Sequence, residues 1–239
     1  MIDDADSAEL RDRRNFRRPA VTSPGYHAGR IPANAGKTYA TEVVTPGDVQ
    51  TLLNGCPKTP GGLRLRAYII LLYRTGIDPV EAQRLRTQDL DLQRDHASVY
   101  VSGGRLKERT LALDASVMEH LRPWLKFRST LPNDALLCVL EGRTAGLDWS
   151  STGARKEVVD LGDRLLNRRV VPGHFRSTLA AELMIEQWPL TYIQVQLGLT
   201  GVWSFQKIFD KLRIRLPDES EVQGVSRTRP PWNKPTAAP

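Results

Sequence analysis

Basic side chains are the residues of this sequence best suited to chemistry, and they are concentrated in a few short segments. One segment, 102–109 (SGGRLKER), lies between two alternating apolar runs, and a second, 172–178, carries His174 and Arg176. A third begins with serines and a threonine at residue 150 and continues into Arg155 and Lys156. Guanidinium groups bind phosphate through paired hydrogen bonds, and hydroxyl and ammonium groups add further donors. These residue types therefore favour contacts with phosphate groups.

The overall composition is consistent with a phosphate-bearing partner. The chain has 239 residues, a formal net charge of +7 and a pI of about 9.6. Such a balance suits nucleic acid, although many soluble proteins without that partner are also modestly basic. Cys56 and Cys138 lack CxxC spacing and are expected to be reduced, buried thiols. The four histidines do not cluster with other ligand types, so we expect neither a metal site nor a cofactor.

Targeting signals are not evident in the sequence. There is no apolar run of membrane-spanning length, and the N-terminus lacks the apolar region of a signal peptide. We therefore expect a cytoplasmic protein without a membrane partner, associated with the nucleoid if it binds DNA.

Local patterns predict a mainly α-helical fold with one small antiparallel β-hairpin. Strands are predicted over 97–101 and 109–113, and helices from Thr45, Leu63, Pro79, either Asp114 or Ser116, Ser150, Phe175, Thr191 and Ser204. The helix from Pro79 is expected to reach Leu90, and residues 135–140 are expected to form a short buried strand or helix. Residues 1–44 are predicted to be a basic, flexible arm, 45–215 the folded domain, and 216–239 a flexible Pro-rich tail.

Four motifs in order carry a resemblance to a known family. They are LLYRTGIDPVEAQRLRTQDLDL at 71–92, SGGRLKER followed by TLAL at 102–113, PGHFRSTLAAELM at 172–184, and the segment 191–199 ending in QLGL. From Thr45 to Leu212 their order and spacing resemble the catalytic domain of tyrosine recombinases (phage integrases). In that family a tyrosine attacks the scissile phosphate, arginines and a histidine or tryptophan hold its oxygens, and a hairpin lysine protonates the leaving group.

The resemblance places most of the family's functional positions on other residue types. The second catalytic arginine is retained as Arg176, with His174 beside the expected histidine position. The remaining positions fall on Asp78, Gly104, Gly173, Leu199 and, for the nucleophile, at or beside Phe209. We therefore predict a catalytically inactive homologue that is not an enzyme. Arg176 is expected either to contact phosphate or to form an ion pair with Asp78.

The same resemblance predicts a DNA-binding surface, because DNA contacts and catalysis use different residues. The helix before the third motif is expected to face the major groove, and the basic arm either replaces a missing N-terminal domain or is a solvated tail. The predicted DNA contacts are Arg13, Arg14, Arg17, Arg18, Arg84, Arg86, Arg105, Lys107, Arg109, Thr152, Arg155, Lys156, Arg168, Arg169, His174 and Arg176.

These observations lead to one principal functional hypothesis and two alternatives. The principal hypothesis is sequence-specific binding of double-stranded DNA, as a repressor of a phage or other mobile element or as an accessory factor at a recombination site. The first alternative is a divergent but active recombinase. The second is a subunit that binds itself or a recombinase through residues 204–214 and the C-terminal tail.

Overall fold

The computed structural model describes residues 43–93, 96–102 and 106–199, together with Gly29. The chain divides into two units, 1–40 and 41–239, and all described residues except Gly29 belong to the second. Within the described residues this unit is mainly helical with one small antiparallel sheet, so the predicted fold class is confirmed. Its helices are α1 (Pro46–Gly55), α2 (Pro60–Thr75), α3 (Pro79–Arg84), α4 (Ala115–Arg128), α5 (Ser151–Leu166), α6 (Pro172–Ile185) and α7 (Leu190–Leu197). The strands are β1 (Leu90–Leu92), β2 (Ala97–Val101) and β3 (Arg109–Ala112), in the order β1-β2-β3.

Helix α2 forms the centre of the hydrophobic core. Its residues from Ala67 to Thr75 are all buried, as expected for a helix that is apolar on every side, and it packs against both α4 and α6. Thr59 caps its N-terminus, and Gly76 ends it in the left-handed conformation at φ 66°. The chain can therefore turn sharply from the buried α2 into the surface helix α3.

Helix α3 is shorter than the sequence pattern predicts. It ends at Arg84, and the following residues form a 3-10 turn and then strand β1, which the sequence analysis missed. Tertiary contacts account for the difference. The backbone of Arg86 pairs with Ala135, and its guanidinium binds Asp148, which holds the chain away from helical geometry. The alternation of Leu90 and Leu92 in DLDL was the available sequence signal for a strand.

Residues 135–138 are buried, but the segment 135–140 forms neither of the elements predicted for it. Several of its carbonyl groups accept hydrogen bonds from side chains of neighbouring helices, and it has no regular ladder of backbone hydrogen bonds to a strand. The indole of Trp124 donates to Leu136 O at 3.0 Å, and Arg128 Nε donates to Ala135 O at 2.6 Å. Arg64 Nη1 donates to Cys138 O at 2.9 Å. Buried backbone acceptors need partners of this kind, so an irregular segment is stable here.

Helices α6 and α7 form a second apolar cluster, which includes Leu179, Leu183, Ile193 and Leu197. The start of the described domain is attached to this part of the fold, because Val44 N donates to Thr178 Oγ1 at 2.8 Å. In the sheet, Val99 of β2 pairs with Leu111 of β3, and Val101 pairs with Arg109. Lys107, two residues before β3, lies beside the end of α7, where its backbone N donates to Gly198 O at 3.1 Å.

Candidate nucleic-acid interface

Arg176 joins the C-terminal ends of two helices. Its Nη1 donates to Gly76 O, just after α2, and its Nη2 donates to Leu197 O at the end of α7 at 2.5 Å. Helix C-termini carry partial negative charge, so a guanidinium is favoured there. Burial lowers the pKa of Arg176 to about 10, and the nearby Asp78 carboxylate acts in the opposite direction. The side chain is therefore still cationic at neutral pH and keeps N–H groups for another acceptor.

A buried ion pair lies directly beside Arg176. Arg109 Nη1 donates to Glu81 Oε1 at 2.9 Å and Nη2 donates to Glu81 Oε2 at 2.8 Å. The two side chains are only 3% and 10% exposed. Arg109 also donates to Gln196 O and Lys107 O, each at 3.0 Å. The pair thus connects α3, the hairpin and α7. The positive charge of Arg109 and the negative charge of Glu81 cancel.

Asp78 serves as the N-cap of α3. Its carboxylate accepts a hydrogen bond from Val80 N at 2.9 Å, and Glu81 completes a capping box by accepting from Asp78 N at 3.0 Å. An acidic residue at this position interacts favourably with the helix dipole. No ion pair between Asp78 and Arg176 is formed among the described residues, although the Asp78 carboxylate acts to raise the pKa of Arg176.

The resemblance also assigns functional positions at the start of α6 and just after α7, and these residues lie in different surroundings. Gly173 lies at the exposed start of α6, where an added Cβ would meet nothing within 4 Å. His174 is half-buried, and its Nδ1 accepts from Val171 N at 3.4 Å. Leu199 packs against the α6–α7 cluster. These three residues do not form a second cationic group around Arg176.

A separate basic surface lies where the end of α3 meets the start of α5. Ser151 Oγ donates to Gln83 Oε1 and joins the two helices. Arg84, Thr152 and Arg155 are exposed around this contact. Among the described residues, Arg84 and Arg155 form no hydrogen bond or ion pair, so both guanidinium groups can bind an external acceptor. We call this group of residues, 83–84 with 151–156, the α3–α5 surface.

Other predicted contacts on α5 and after it are partly engaged. Lys156 is exposed and pairs with Asp160 one turn further along the helix. Arg169 is exposed and has no ion pair with any described residue. Lys107 is also exposed, and its hydrogen bonds to other described residues are made by its backbone groups.

Three arginines expected at the DNA surface are instead committed to contacts within the protein. Arg109 is buried with Glu81, as described above. Arg86 binds Asp148, with one nitrogen–oxygen distance of 2.5 Å, and lies 3.7 Å from Asp134. Arg168 Nη2 donates to Asp48 at 2.6 Å. Each of these contacts engages the guanidinium within the protein. Arg109 is buried, whereas Arg86 and Arg168 are partly exposed. DNA contacts by the three residues stay sequence-based predictions and are left out of the set proposed below.

Several predicted site residues lie outside the described part of the chain. They are Arg13, Arg14, Arg17, Arg18, Gly104, Arg105 and Phe209. The helix predicted from Ser204 and the flexible arm and tail fall there too. Their roles stay predictions.

Glu81 is the important site residue that sequence analysis missed. The sequence Asp78-Pro-Val-Glu81 is the signature of a helix N-terminus with a capping box, so its local role could be predicted. Its partner Arg109 is 28 residues away, and nothing in the local pattern indicates that pairing. The acidic partners of Arg86 and Arg168 were missed for the same reason.

Two further properties of the described residues concern metals and membranes. No group of three His, Cys, Asp or Glu side chains in the described residues is arranged to hold a metal ion. None of the described helices combines the length and apolar character needed to cross a bilayer.

Sequence comparison relates most of the folded domain to one family. Residues 42–207 match the profile of the phage integrase family. Tyrosine recombinase XerC of Shewanella amazonensis is 30% identical over 155 residues, which are 64% of this chain and 51% of the relative. Tyrosine recombinase XerA of Thermococcus kodakarensis is 25% identical over 186 residues, 77% of this chain and 61% of the relative. The chain therefore spans less than two thirds of the length of these curated relatives.

Solved structures share the fold at lower sequence identity. The crystal structure of XerA recombinase aligns with a TM-score of 0.62 and 21% identity, covering 77% of this chain and 66% of that one. XerH site-specific recombinase bound to its difH substrate aligns with a TM-score of 0.60 and 20% identity, covering 84% and 56%. The mainly helical domain with its small sheet is thus the fold of these recombinases.

The comparisons overturn the prediction that this protein is not an enzyme. The curated relatives are named as tyrosine recombinases, and residue differences at aligned motif positions do not by themselves establish a loss of activity. Catalysis depends on which side chains reach the phosphate in the folded protein, whereas the prediction relied on the position of each residue within a short motif. The match across residues 42–207 shows that the chain belongs to the phage integrase family, the tyrosine recombinases.

Proposed function

We propose that this protein binds double-stranded DNA at a specific sequence and acts in site-specific recombination. The principal support is the exposed α3–α5 surface on a recombinase fold, where Arg84 and Arg155 have no internal partner among the described residues. Arginine is well suited to bidentate contacts with phosphates and with guanine. Thr152 adds a hydroxyl group that can bind either kind of acceptor.

The proposed contact set follows from which side chains are exposed or retain donors. It consists of Arg84, Lys107, Thr152, Arg155, Lys156, Arg169 and Arg176. A DNA contact by His174 stays a sequence-based prediction. XerH, a structural neighbour, was crystallised bound to its difH DNA substrate. We carry DNA as the partner over to this chain on the strength of the shared fold and of these available side chains.

Footprinting tests the DNA-binding part of this proposal. Purified protein would be incubated with DNA surrounding its own gene, at physiological salt and with excess competitor DNA. We expect a discrete protected site, and Arg84→Gln with Arg155→Gln should weaken it. Protection that disappears with competitor, or that is unaffected by both substitutions, would contradict sequence-specific binding through the α3–α5 surface.

A separate assay tests recombination. A plasmid carrying two copies of the protected sequence would be exposed to the protein, and excision or inversion would be scored by PCR across the junction. Exchange that needs both copies supports the proposal. Protection without exchange would leave DNA binding intact and contradict the recombination role. The repressor role stays a sequence-based prediction, because the relatives reported above are named as recombinases.

A further inference from the structure

A side-chain hydrogen bond joins α3 to α5 within the α3–α5 surface. Ser151, the first residue of α5, donates through its hydroxyl to Gln83 Oε1 on α3. Gln83 is only 6% exposed, whereas the residues that follow the two partners, Arg84 and Thr152, are exposed. The hydrogen bond therefore lies one residue away from a proposed DNA contact on each of the two helices.

The amide nitrogen of Gln83 lies on the buried side of this contact. Gln83 Nε2 and the hydroxyl of Tyr68 on α2 are both buried and have no hydrogen-bond partner among the described residues. Burial raises the pKa of Tyr68 and the side chain of Gln83 acts to lower it, so the two groups are neighbours. An unpaired buried donor costs free energy, and an apolar residue at position 83 would avoid that cost. A polar residue kept here favours a role in fixing one arrangement of the helices.

The same end of α5 is attached to α2 by aromatic and ionic contacts. Trp149, two residues before α5, packs edge to face against Tyr68, with the ring centroids 5.5 Å apart. The guanidinium of Arg64 lies 3.7 Å from the centre of the Trp149 ring, and its Nη2 donates to Glu157 Oε1 at 2.5 Å. Helix α2 thus holds α5 on the core, and the serine hydrogen bond adds a link from α5 to α3.

We propose that Gln83 is a positioning residue for reading the DNA sequence. By accepting from Ser151, it fixes the distance between the exposed side chains of α3 and those of α5. The proposal rests on the proposed DNA-binding function and assigns Gln83 no contact with DNA. Base edges are recognised by side chains held within about 0.5 Å of their productive position, whereas phosphate contacts carry no sequence information. Loss of the link should therefore reduce sequence discrimination more than overall affinity.

Discrimination is measured by the ratio of two dissociation constants. Fluorescence anisotropy would give the Kd for a duplex carrying the footprinted sequence and for a duplex of arbitrary sequence. The proteins compared are wild type, Gln83→Leu, Ser151→Ala and the double variant. We expect the ratio to fall about tenfold in all three variants, a loss comparable with that of one base contact. The double variant should be as stable in urea as the wild type, because neither partner of the hydrogen bond is left unpaired.

Non-additivity and rescue distinguish positioning from direct contact with DNA. Ser151→Thr keeps the hydroxyl group and should retain the wild-type ratio. If Ser151 or Gln83 touched DNA independently, the two losses would multiply to about 100-fold in the double variant, which would overturn the proposal. An unchanged ratio in Gln83→Leu would overturn it as well.

Hydrogen exchange gives a readout that does not require DNA. The amides of Ala154 and Arg155 should exchange faster in Gln83→Leu and in Ser151→Ala, because the start of α5 has lost its link to α3. Equal exchange in wild type and Gln83→Leu would contradict the proposal. The matched control Ser129→Ala removes a hydroxyl that donates to Lys126 O at the end of α4, and it should change neither readout. Equal binding of both duplexes by the wild type would instead contradict the proposed function, and faster exchange in the variants would still support the link.

Discussion

The Glu81–Arg109 pair provides the sharpest prediction about stability, because an exposed counterpart exists in the same domain. Arg109→Ala would leave the Glu81 carboxylate, with 10% of its side chain exposed, without its two guanidinium donors. It would also remove the hydrogen bonds to Gln196 O and Lys107 O. Arg86→Ala removes an ion pair of similar composition, to Asp148, but Arg86 and Asp148 are 33% and 49% exposed.

The expected magnitudes differ because water can replace only the exposed ion pair. Removing one partner of a buried ion pair costs about 3–5 kcal/mol, since the remaining charge is left without compensation. An exposed pair contributes about 0.2–1 kcal/mol. Domains are stable by only about 5–15 kcal/mol, so Arg109→Ala should remove a large fraction of the free energy of unfolding.

Equilibrium urea unfolding of the two variants is the assay. With an m-value of about 2–3 kcal/mol/M, the midpoint of Arg109→Ala should fall by roughly 1–2 M urea, and that of Arg86→Ala by less than about 0.5 M. Adding Glu81→Gln to Arg109→Met should be less destabilising than the sum of the single changes, because no buried charge remains. Equal midpoints for Arg109→Ala and Arg86→Ala would refute the reasoning that burial determines the effect.

Three further predictions concern single positions. In a fluorescence anisotropy titration, Asp78→Asn should tighten duplex binding about fivefold (roughly 1 kcal/mol). The substitution removes a negative charge near Arg176, and asparagine can still cap the helix. The control Asp91→Asn, on β1, should leave binding unchanged. Gly76→Ala should lower the free energy of unfolding, measured in urea, by roughly 2–4 kcal/mol, because φ is 66° and the new Cβ would lie 2.6 Å from two leucine side chains. Gly142→Ala should lower it by about 1–2 kcal/mol, because φ is 77° there but the space around the new Cβ is open. Burial raises the pKa of the Cys56 thiol from 9.0 to about 11, so the native state keeps a proton that the unfolded chain releases. The free energy of unfolding should therefore fall as pH rises from 9 to 11. A Cys56→Ala variant with the same pH profile as the wild type would contradict this.

The helical framework could be predicted from sequence because its signals are local. Thr45 and Ser150, where helices were predicted to begin, are N-caps in the structure. The helix predicted from Leu63 is also present, although it begins at Pro60. The hairpin was predictable for the same reason, from two alternating runs around a glycine-rich turn. The length of α3 was not, because contacts of Arg86 with residues 135 and 148 end it.

The candidate site was predictable as a set of residue types but not as an arrangement. Arg109 and Arg155 look alike in sequence, yet Arg109 is buried against Glu81 while Arg155 is exposed without an internal partner among the described residues. The distinction depends on pairings between residues far apart in sequence. Charge counts therefore do not show which arginines are available to an external acceptor, since several arginines bind carbonyl or carboxylate groups inside the domain.

The measurement that tests the central claim most directly is duplex DNA binding by the purified chain across a range of salt concentrations. Fluorescence anisotropy with a 30-bp duplex should show binding that weakens as salt increases. Arg84→Gln combined with Arg155→Gln should reduce the log–log slope by about 1.8, because each phosphate that is no longer neutralised lowers it by about 0.9. Failure to bind at a salt concentration of about 50 mM, or a slope that is unchanged in the double variant, would contradict the assignment of the α3–α5 surface as a DNA-binding face.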